Sequence, residues 1–573
     1  MMLQRSNSYR VIAQAPWEKA VCILLIAGSL LYYWSVFFYY ALNAGQADEF
    51  VDVLWFFEIY FSQEHWLEKL AVIALPNHEH VTIFNHLVYL AHYALFGQIN
   101  FFHYMLIGHL IVLACCYFLA EWLQKVVGWW YGLALAFGIF LNLFYWNASF
   151  WAMTALSNQA VVLFAILAAR SAAHNSGAIT TPLMWALLAV TTQFNGLLVL
   201  PALIASSFVV STVERKRQNW KQLLVWAGAF LVAAAAYVAY ENPFAQDHLW
   251  RYVNYTDPGK IAEYFKPSFG VPVSAARAAM NVPLTFLSAI GATVLGLGGW
   301  MIASVAGASI LLLLLQAGLK KAPVLRDTFW LALLLFALAS LALVAIGRGF
   351  AFGPETGLLY RYRLYSFLIV ALLAGAVLYR QQKRQTILMF LLAGLSIQLC
   401  SLHVLDDIAL ERENIQVSHY NWMVDGGLGR SRMPFYPHNQ DVRLLNAYSN
   451  GYYNAYQAVD SRHKPTAVIK VSGENCSSGQ ATNPAIKAWS KKPKAVAVEI
   501  MLDVVPSTEP LQLLFCGSHS AYLVTLDMHN VNQEEGKYWP ILVLKKQLPP
   551  SQYRVLLQQA DASNKVLGDI TFP

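Results

Sequence analysis

Apolar runs long enough to cross a bilayer recur along the chain from near Ala20 to about Leu405 and then stop. A hydrocarbon core roughly 30 Å thick is spanned by about 17–25 residues of helix. On that measure spans are expected near 20–42, 82–97, 101–120, 127–145, 153–170, 184–212, 222–240, 282–317, 328–346, 363–379 and 386–404, about eleven crossings. The run 282–317 is too long for one untilted helix and contains Gly296, Gly298 and Gly299. One helix plus a half-inserted segment accommodates it without changing the parity of the count.

After residue 405 the pattern changes. Residues 406–465 are polar, aromatic and glycine-rich, reading as an irregular or partly helical connection. Segments 466–471, 494–502, 511–515, 521–526, 541–546, 552–558 and 566–572 are short, rich in β-branched residues and separated by Pro, Gly, Ser or Asn. That punctuation predicts strands, and their number and spacing predict a small β-sandwich. The expected fold class is therefore a polytopic α-helical membrane body over 1–404, a connection over 405–465 and a mainly β domain over 466–573.

Composition agrees: 57% of the 573 residues are hydrophobic and 12% charged, with a mean hydropathy of +0.44, values a soluble protein of this size would hardly sustain. Charge placement then gives sidedness. Lys and Arg cluster at Arg5/Arg10/Lys19, Arg215/Lys216/Arg217/Lys221, Lys320/Lys321/Arg326 and Arg380/Lys383/Arg384, connections the positive-inside rule assigns to the cytoplasm. Loop 43–80 holds one Lys, Lys69, against seven acids and is expected outside. An odd number of crossings puts residues 405–573 outside as well. The formal charge of +7 reflects the cytoplasmic clusters; no aromatic-basic groove accompanies it, so nucleic acid is not an expected partner, whereas membrane lipid is. The first apolar run lacks a small-residue cleavage site and is read as a retained helix. Cys22, Cys115, Cys116 and Cys400 fall in spans and read as small buried side chains, while Cys476 and Cys516 would face an oxidising compartment and are expected to form a disulfide.

Two constellations offer chemistry. The outer loop after the first span carries Asp48-Glu49 near its start and Asn77-His78-Glu79-His80 near its end. Carboxylates at the hydrocarbon boundary are functional candidates unless they simply face water. The second is Gly357-Leu358-Leu359-Tyr360-Arg361-Tyr362-Arg363 at the mouth of a late span, with Arg348 on the same connection. Arginine's forked donors suit a phosphate, and the alternative is anchorage to lipid headgroups. Arg361 and Arg363 are two residues apart, so on a regular helix they diverge by about 200° and serve one phosphate only if the helix begins between them. Tyr448, Tyr452, Tyr453 and Tyr456 either stack on sugar rings or glue the domain to neighbouring surfaces. His65, His78 and His80 contain a His-x-His spacing found in metal sites, but further ligands would have to come from elsewhere; no metal site is assigned, and a divalent metal stays open. No Gly-rich phosphate loop, Ser-His-Asp order or C-x-x-C pair stands in a convincing context.

The acidic pair in the first outer loop, ten or more spans and an outer C-terminal domain together resemble the GT-C superfamily of membrane glycosyltransferases, in particular its bacterial surface-polysaccharide members. Many of these carry an N-E-H-R-like motif before the second span, here Asn77-His78-Glu79-His80 with Asn85 where an Arg often follows, and an S-R-Y-like motif before a late span, here Tyr360-Arg361-Tyr362. The match covers about residues 20–404; His80 stands where Arg is usual. The resemblance implies an inverting enzyme of the bacterial inner membrane that takes a sugar from a polyprenyl-phosphate-linked donor. The acceptor would be an O-antigen-like glycan or a secreted protein on the outer face. It gives Asp48 or Glu49 the role of base, Arg361, Tyr362 and Arg363 the donor phosphate, and His78, Glu79, His80 and Arg348 possible substrate contacts. The rival reading, a transporter or flippase of polyprenyl-linked glycans, predicts internal repeats and mid-membrane charges, for which the sequence offers little.

Overall fold

The computed structural model describes residues 15–77, 80–174, 179–239, 275–293, 299–319, 323–349, 352–381, 383–425 and 440–454, and eight strands between 468 and 572. The chain divides into two compact units. One comprises Met1–Ala41, Val51–Gly97 and Phe101–Leu405; the other Leu42–Phe50, Gln98–Asn100 and Asp406–Pro573.

The first unit is helical and has the architecture of a multi-pass membrane protein. Among the described residues, ten helices are long and apolar enough to cross a bilayer: Pro16–Tyr40, Phe101–Val127, Trp129–Ser149, Ala152–His174, Phe194–Val213, Trp220–Tyr237, Gly299–Gln316, Thr328–Gly349, Tyr360–Tyr379 and Arg384–Arg412. The first starts on Pro16, whose missing N–H costs nothing at that position, with Glu18 accepting from the N-cap Ala15 N–H at 2.7 Å. Polar contacts join the ends of these helices. Glu18 pairs with Arg384, Arg170 grips Glu121 through Nε and Nη2 at 2.9 Å each, and the Trp122 indole donates to Asp327 at 2.7 Å. The long run 282–317 is divided between helices Ala275–Ile290 and Gly299–Leu319. They touch through glycine: a Cβ on Gly291 would lie 1.9 Å from the Ala303 carbonyl oxygen.

Two expected spans need correction. The run 184–212 is a reversal of chain direction, with helix Thr180–Val190 followed by the 3-10 turn Phe194–Leu198 and helix Val199–Val213. Thr191 and Thr192 divert their hydroxyls to the Leu188 and Ala189 carbonyls. Gly196 then folds back so tightly that a Cβ there would meet the Ala189 oxygen at 2.0 Å. The run 82–97 is a 14-residue helix, Ile83–Phe96, about 21 Å long and short of a hydrocarbon core. The flanking stretches return to neighbouring residues of the second unit. Tyr453 donates its hydroxyl to the Asn43 carbonyl at 2.7 Å, and the Ile99 N–H donates to the Tyr452 carbonyl at 2.7 Å. A segment that leaves from and comes back to one place has not crossed. Its apolarity has another cause: the buried face carries Asn85, His86, Tyr89 and His92, while Leu87, Leu95 and Phe96 are exposed, as suits a helix lying against lipid.

In the second unit, helices Leu405–Asp425 and Gln440–Ser449 occupy part of the connection. All strand pairings beyond them are antiparallel. Five strands run in the order Asn564–Phe572, Ser551–Gln558, Leu511–Cys516, Ala521–Leu526, Val468–Val471, and three in the order Ile486–Lys492, Ala495–Ile500, Trp539–Leu544. Strand Ile486–Lys492 escapes a hydropathy reading because it ends on lysines and carries a register shift at Ala488/Ser490. Cys516 is disulfide-bonded. Cys22, Cys115, Cys116 and Cys400 are free, and Cys476 lies outside the described residues.

Candidate functional site

The acidic pair sits on a turn closed by its own backbone. Glu49 N–H donates to the Gln46 carbonyl at 3.0 Å, and Gln46 N–H donates to Glu49 Oε2 at 2.7 Å. Glu49 is thereby committed to the turn, and is buried at 1% exposure. Asp48 is half-buried. Ala47 before it holds φ +52°, a left-handed conformation uncommon for a residue with a Cβ and found where surrounding structure imposes it. Tyr453 packs in the same unit, fully buried, its phenol pushed well up by burial and by the negative charge of Glu49. That is the packing role for Tyr453; Tyr448 is exposed, and Tyr456 lies outside the described residues.

A third carboxylate of the same loop builds the most elaborate polar cluster. Asp52 lies on the π-helical turn Phe50–Trp55 and is 2% exposed. Tyr89 donates its hydroxyl to Oδ2 at 2.7 Å, Thr82 donates to Oδ1 at 3.0 Å, and His86 Nε2 stands 3.6 Å from Oδ1. His86 Nδ1 is 2.8 Å from the Ile73 carbonyl, which only accepts, so Nδ1 carries a proton and Nε2 is the nitrogen turned to Asp52. The ring also stacks on Phe56 at 4.1 Å and 5°. Thr82 is the N-cap of the Ile83–Phe96 helix but makes no side-chain cap bond. Its hydroxyl serves Asp52 instead, which places the negative charge at the positive end of that helix. Burial works to raise the Asp52 carboxyl, but the bonds and charge of His86, with Tyr89 and Thr82, outweigh it and hold the group below its ordinary value. Sequence reading counted Asp52 only among the loop's acids. The available signal was Thr82, His86 and Tyr89 at i, i+4 and i+7, one face of a helix.

The arginine motif straddles a helix start. Tyr360–Tyr362 is a 3-10 turn, and the α-helix Arg363–Gln381 follows directly, so the two arginines fall on either side of the junction. Arg363, 8% exposed, donates from Nε to the Leu358 carbonyl at 2.9 Å and lies 4.2 Å over the Tyr360 ring. It is held within the protein, not extended along a lipid surface. Arg361 is half-buried, with its guanidinium 5.2 Å over the buried Tyr362. Tyr360 also packs against Trp146 at 5.3 Å. Arg348 is half-buried on the π-helical turn Ala345–Gly349.

His78 and Glu79 lie outside the described residues. Their neighbours pair as a two-residue ladder, Pro76 with Val81 and Asn77 with His80. Among the described residues no three His, Cys, Asp or Glu side chains converge as a metal would require.

No protein-family model matches the chain, and no curated protein or solved structure is similar enough to count as a match.

Proposed function

We propose that the chain is an inverting GT-C-type glycosyltransferase of a bacterial inner membrane, moving a sugar from a polyprenyl-phosphate-linked donor to a surface glycan or secreted protein on the outer face. One observation carries the reading. Each candidate pair divides into a buried member tied to backbone and a half-buried member on a turn. Glu49 is tied to Gln46 N and Arg363 to Leu358 O, whereas Asp48 and Arg361 are half-buried. The division supports Asp48 as the base and Arg361 as the phosphate ligand. In inverting transfer an acceptor hydroxyl loses its proton to a carboxylate base while its oxygen attacks the anomeric carbon; the sugar–phosphate C–O bond breaks, and the electron pair leaves with the lipid phosphate, whose charge a cation stabilises. The Cys516 disulfide supports an oxidising compartment for the C-terminal domain, read here as an extracytoplasmic β-sandwich.

The test is transfer by the purified full-length protein from a panel of polyprenyl-phosphate sugars. Asp48→Asn is expected to lower turnover by about 10²–10⁴-fold, the contribution of a general base, with donor binding retained. Full turnover in that variant would refute the assignment. Movement of intact lipid-linked sugar across proteoliposomes without bond cleavage would replace the enzyme by a flippase.

A further inference from the structure

In the helical unit, Asn85 Oδ1, Trp146 Nε1, Trp151 Nε1 and Asn195 Oδ1 are buried without a hydrogen-bond partner. Their residues are 0%, 7%, 8% and 8% exposed. Buried polar atoms are normally paired, and the indole N–H of a tryptophan near a membrane surface normally reaches water or a headgroup. These indoles are enclosed by protein.

Asn85, Trp146 and Trp151 are linked through a short stretch of chain. Asn85 gives its amide N–H to the Met153 carbonyl at 3.3 Å; a carbonyl only accepts, so this fixes the amide's orientation and leaves Oδ1 as the open acceptor. Thr154 bonds both the Trp151 carbonyl at 2.9 Å and the Asn147 carbonyl at 3.2 Å, tying together the two ends of the turn that carries Trp146 and Trp151. Trp146 packs on Tyr360, the residue before Arg361. The Asn195 amide bonds the hydroxyls of Ser340 at 3.1 Å and of Tyr365 at 2.7 Å, the latter on the helix that Arg363 opens; hydroxyls both donate and accept, so either amide atom can be the open one. The unmet groups thus include two indole donors and the Asn85 acceptor, all uncharged, with Trp146 beside the arginine motif. A phosphate offers acceptors alone and would leave the Asn85 carbonyl unmet. Hydroxyls both donate and accept, and the C–H faces of a sugar ring pack on indole.

We infer that Asn85, Trp146, Trp151 and Asn195 form the pocket for the glycosyl group of the lipid-linked donor and set which sugar is accepted. The inference rests on the donor class proposed above, with Arg361 on the adjoining phosphate.

The test is equilibrium binding to the full-length protein in lipid nanodiscs. The probes are farnesyl phosphates bearing glucose, galactose, mannose or arabinose, bare farnesyl phosphate, and the four methyl glycosides. Wild type should bind at least one sugar-bearing lipid more tightly than the bare phosphate. Trp146→Phe and Trp151→Phe keep an aromatic ring and remove one N–H each, so each should weaken that probe about tenfold, the effect of one lost hydrogen bond, with bare farnesyl phosphate unchanged. Thermal midpoints at or above wild type check that both variants fold, and either variant suffices alone. The pocket is overturned if no sugar-bearing lipid outcompetes the bare phosphate, if the folded variants bind as wild type does, if both lipid classes weaken equally, or if only methyl glycosides are affected. A sugar-dependent loss supports the pocket even if the protein transfers no sugar, which separates its fate from that of the enzyme reading.

Discussion

Replacing Asp52 by alanine removes the one acceptor on which Thr82, Tyr89 and His86 converge. Tyr89 and Thr82 reach the carboxylate at 2.7 and 3.0 Å, geometry in which a bond to a charged group contributes about 1.5–3 kcal/mol. His86 Nε2 stands 3.6 Å from Oδ1 with both groups buried, and a buried polar group left without its partner costs about 1–3 kcal/mol. These contributions share a single carboxylate and do not add; a net loss of about 4 kcal/mol is expected. Asp52→Asn is milder. Its Oδ1 can still accept from Thr82, and its amide can donate to the Tyr89 oxygen, so mainly charge assistance is lost, about 1.5 kcal/mol. The assay is native-state hydrogen exchange of amides in 51–62 and 83–96. Four kcal/mol corresponds to about 10³-fold more frequent local opening for the alanine variant, and the asparagine variant should show about tenfold. Because the folded Asp52 carboxyl is held below its usual value, its contribution is fully present above about pH 4 and lost only as pH falls through the lower folded value. Opening in wild type, corrected for intrinsic exchange, should therefore show no titration by Asp52 between about pH 5 and 8. Exchange in Asp52→Ala within threefold of wild type would refute the claim that the cluster holds the loop to the helix.

Arg361→Ala should lower catalytic efficiency with the donor about ten- to hundredfold, with partial rescue by Lys, which cannot reproduce the forked geometry. Arg363→Ala should instead reduce the yield of folded protein, since it strips a donor from the Leu358 carbonyl; equal, near-wild-type rates and yields in both variants would remove the arginines from the reading. Glu49→Gln offers a neutral acceptor to Gln46 N–H and should leave turnover above that of Asp48→Asn, measured in the same transfer assay. Intact-mass analysis with thiol labelling, before and after reduction, should reveal two additional thiols on Cys476 and Cys516; labelling of both without reductant would exclude the bridge.

Membrane residence and the helical body were legible in the sequence because lipid imposes a composition and a run length on any chain that crosses it. Most strands were legible for a similar reason, each being a short apolar segment between turn residues. What hydropathy cannot distinguish is a helix that crosses from one that lies along the surface, since both need an apolar lipid-facing side; Ile83–Phe96 shows this, with Leu87 and Leu95 exposed and His86 and Tyr89 buried. Nor does a long apolar run announce a reversal that depends on two threonines and Gly196. The candidate residues Asp48, Glu49, Arg361 and Arg363 could be named from charge in unusual places, with Asp48 and Arg361 preferred within each pair, but without a geometric reason. The structure adds that Glu49 closes its own turn and that the α-helix begins at Arg363. The Asp52 cluster left only the faint signal of Thr82, His86 and Tyr89 on one helix face, and the unpartnered atoms of Asn85, Trp146, Trp151 and Asn195 lay beyond sequence reading altogether. Their character depends on which polar atoms are buried and what they meet, and for groups tens of residues apart only the tertiary structure decides that.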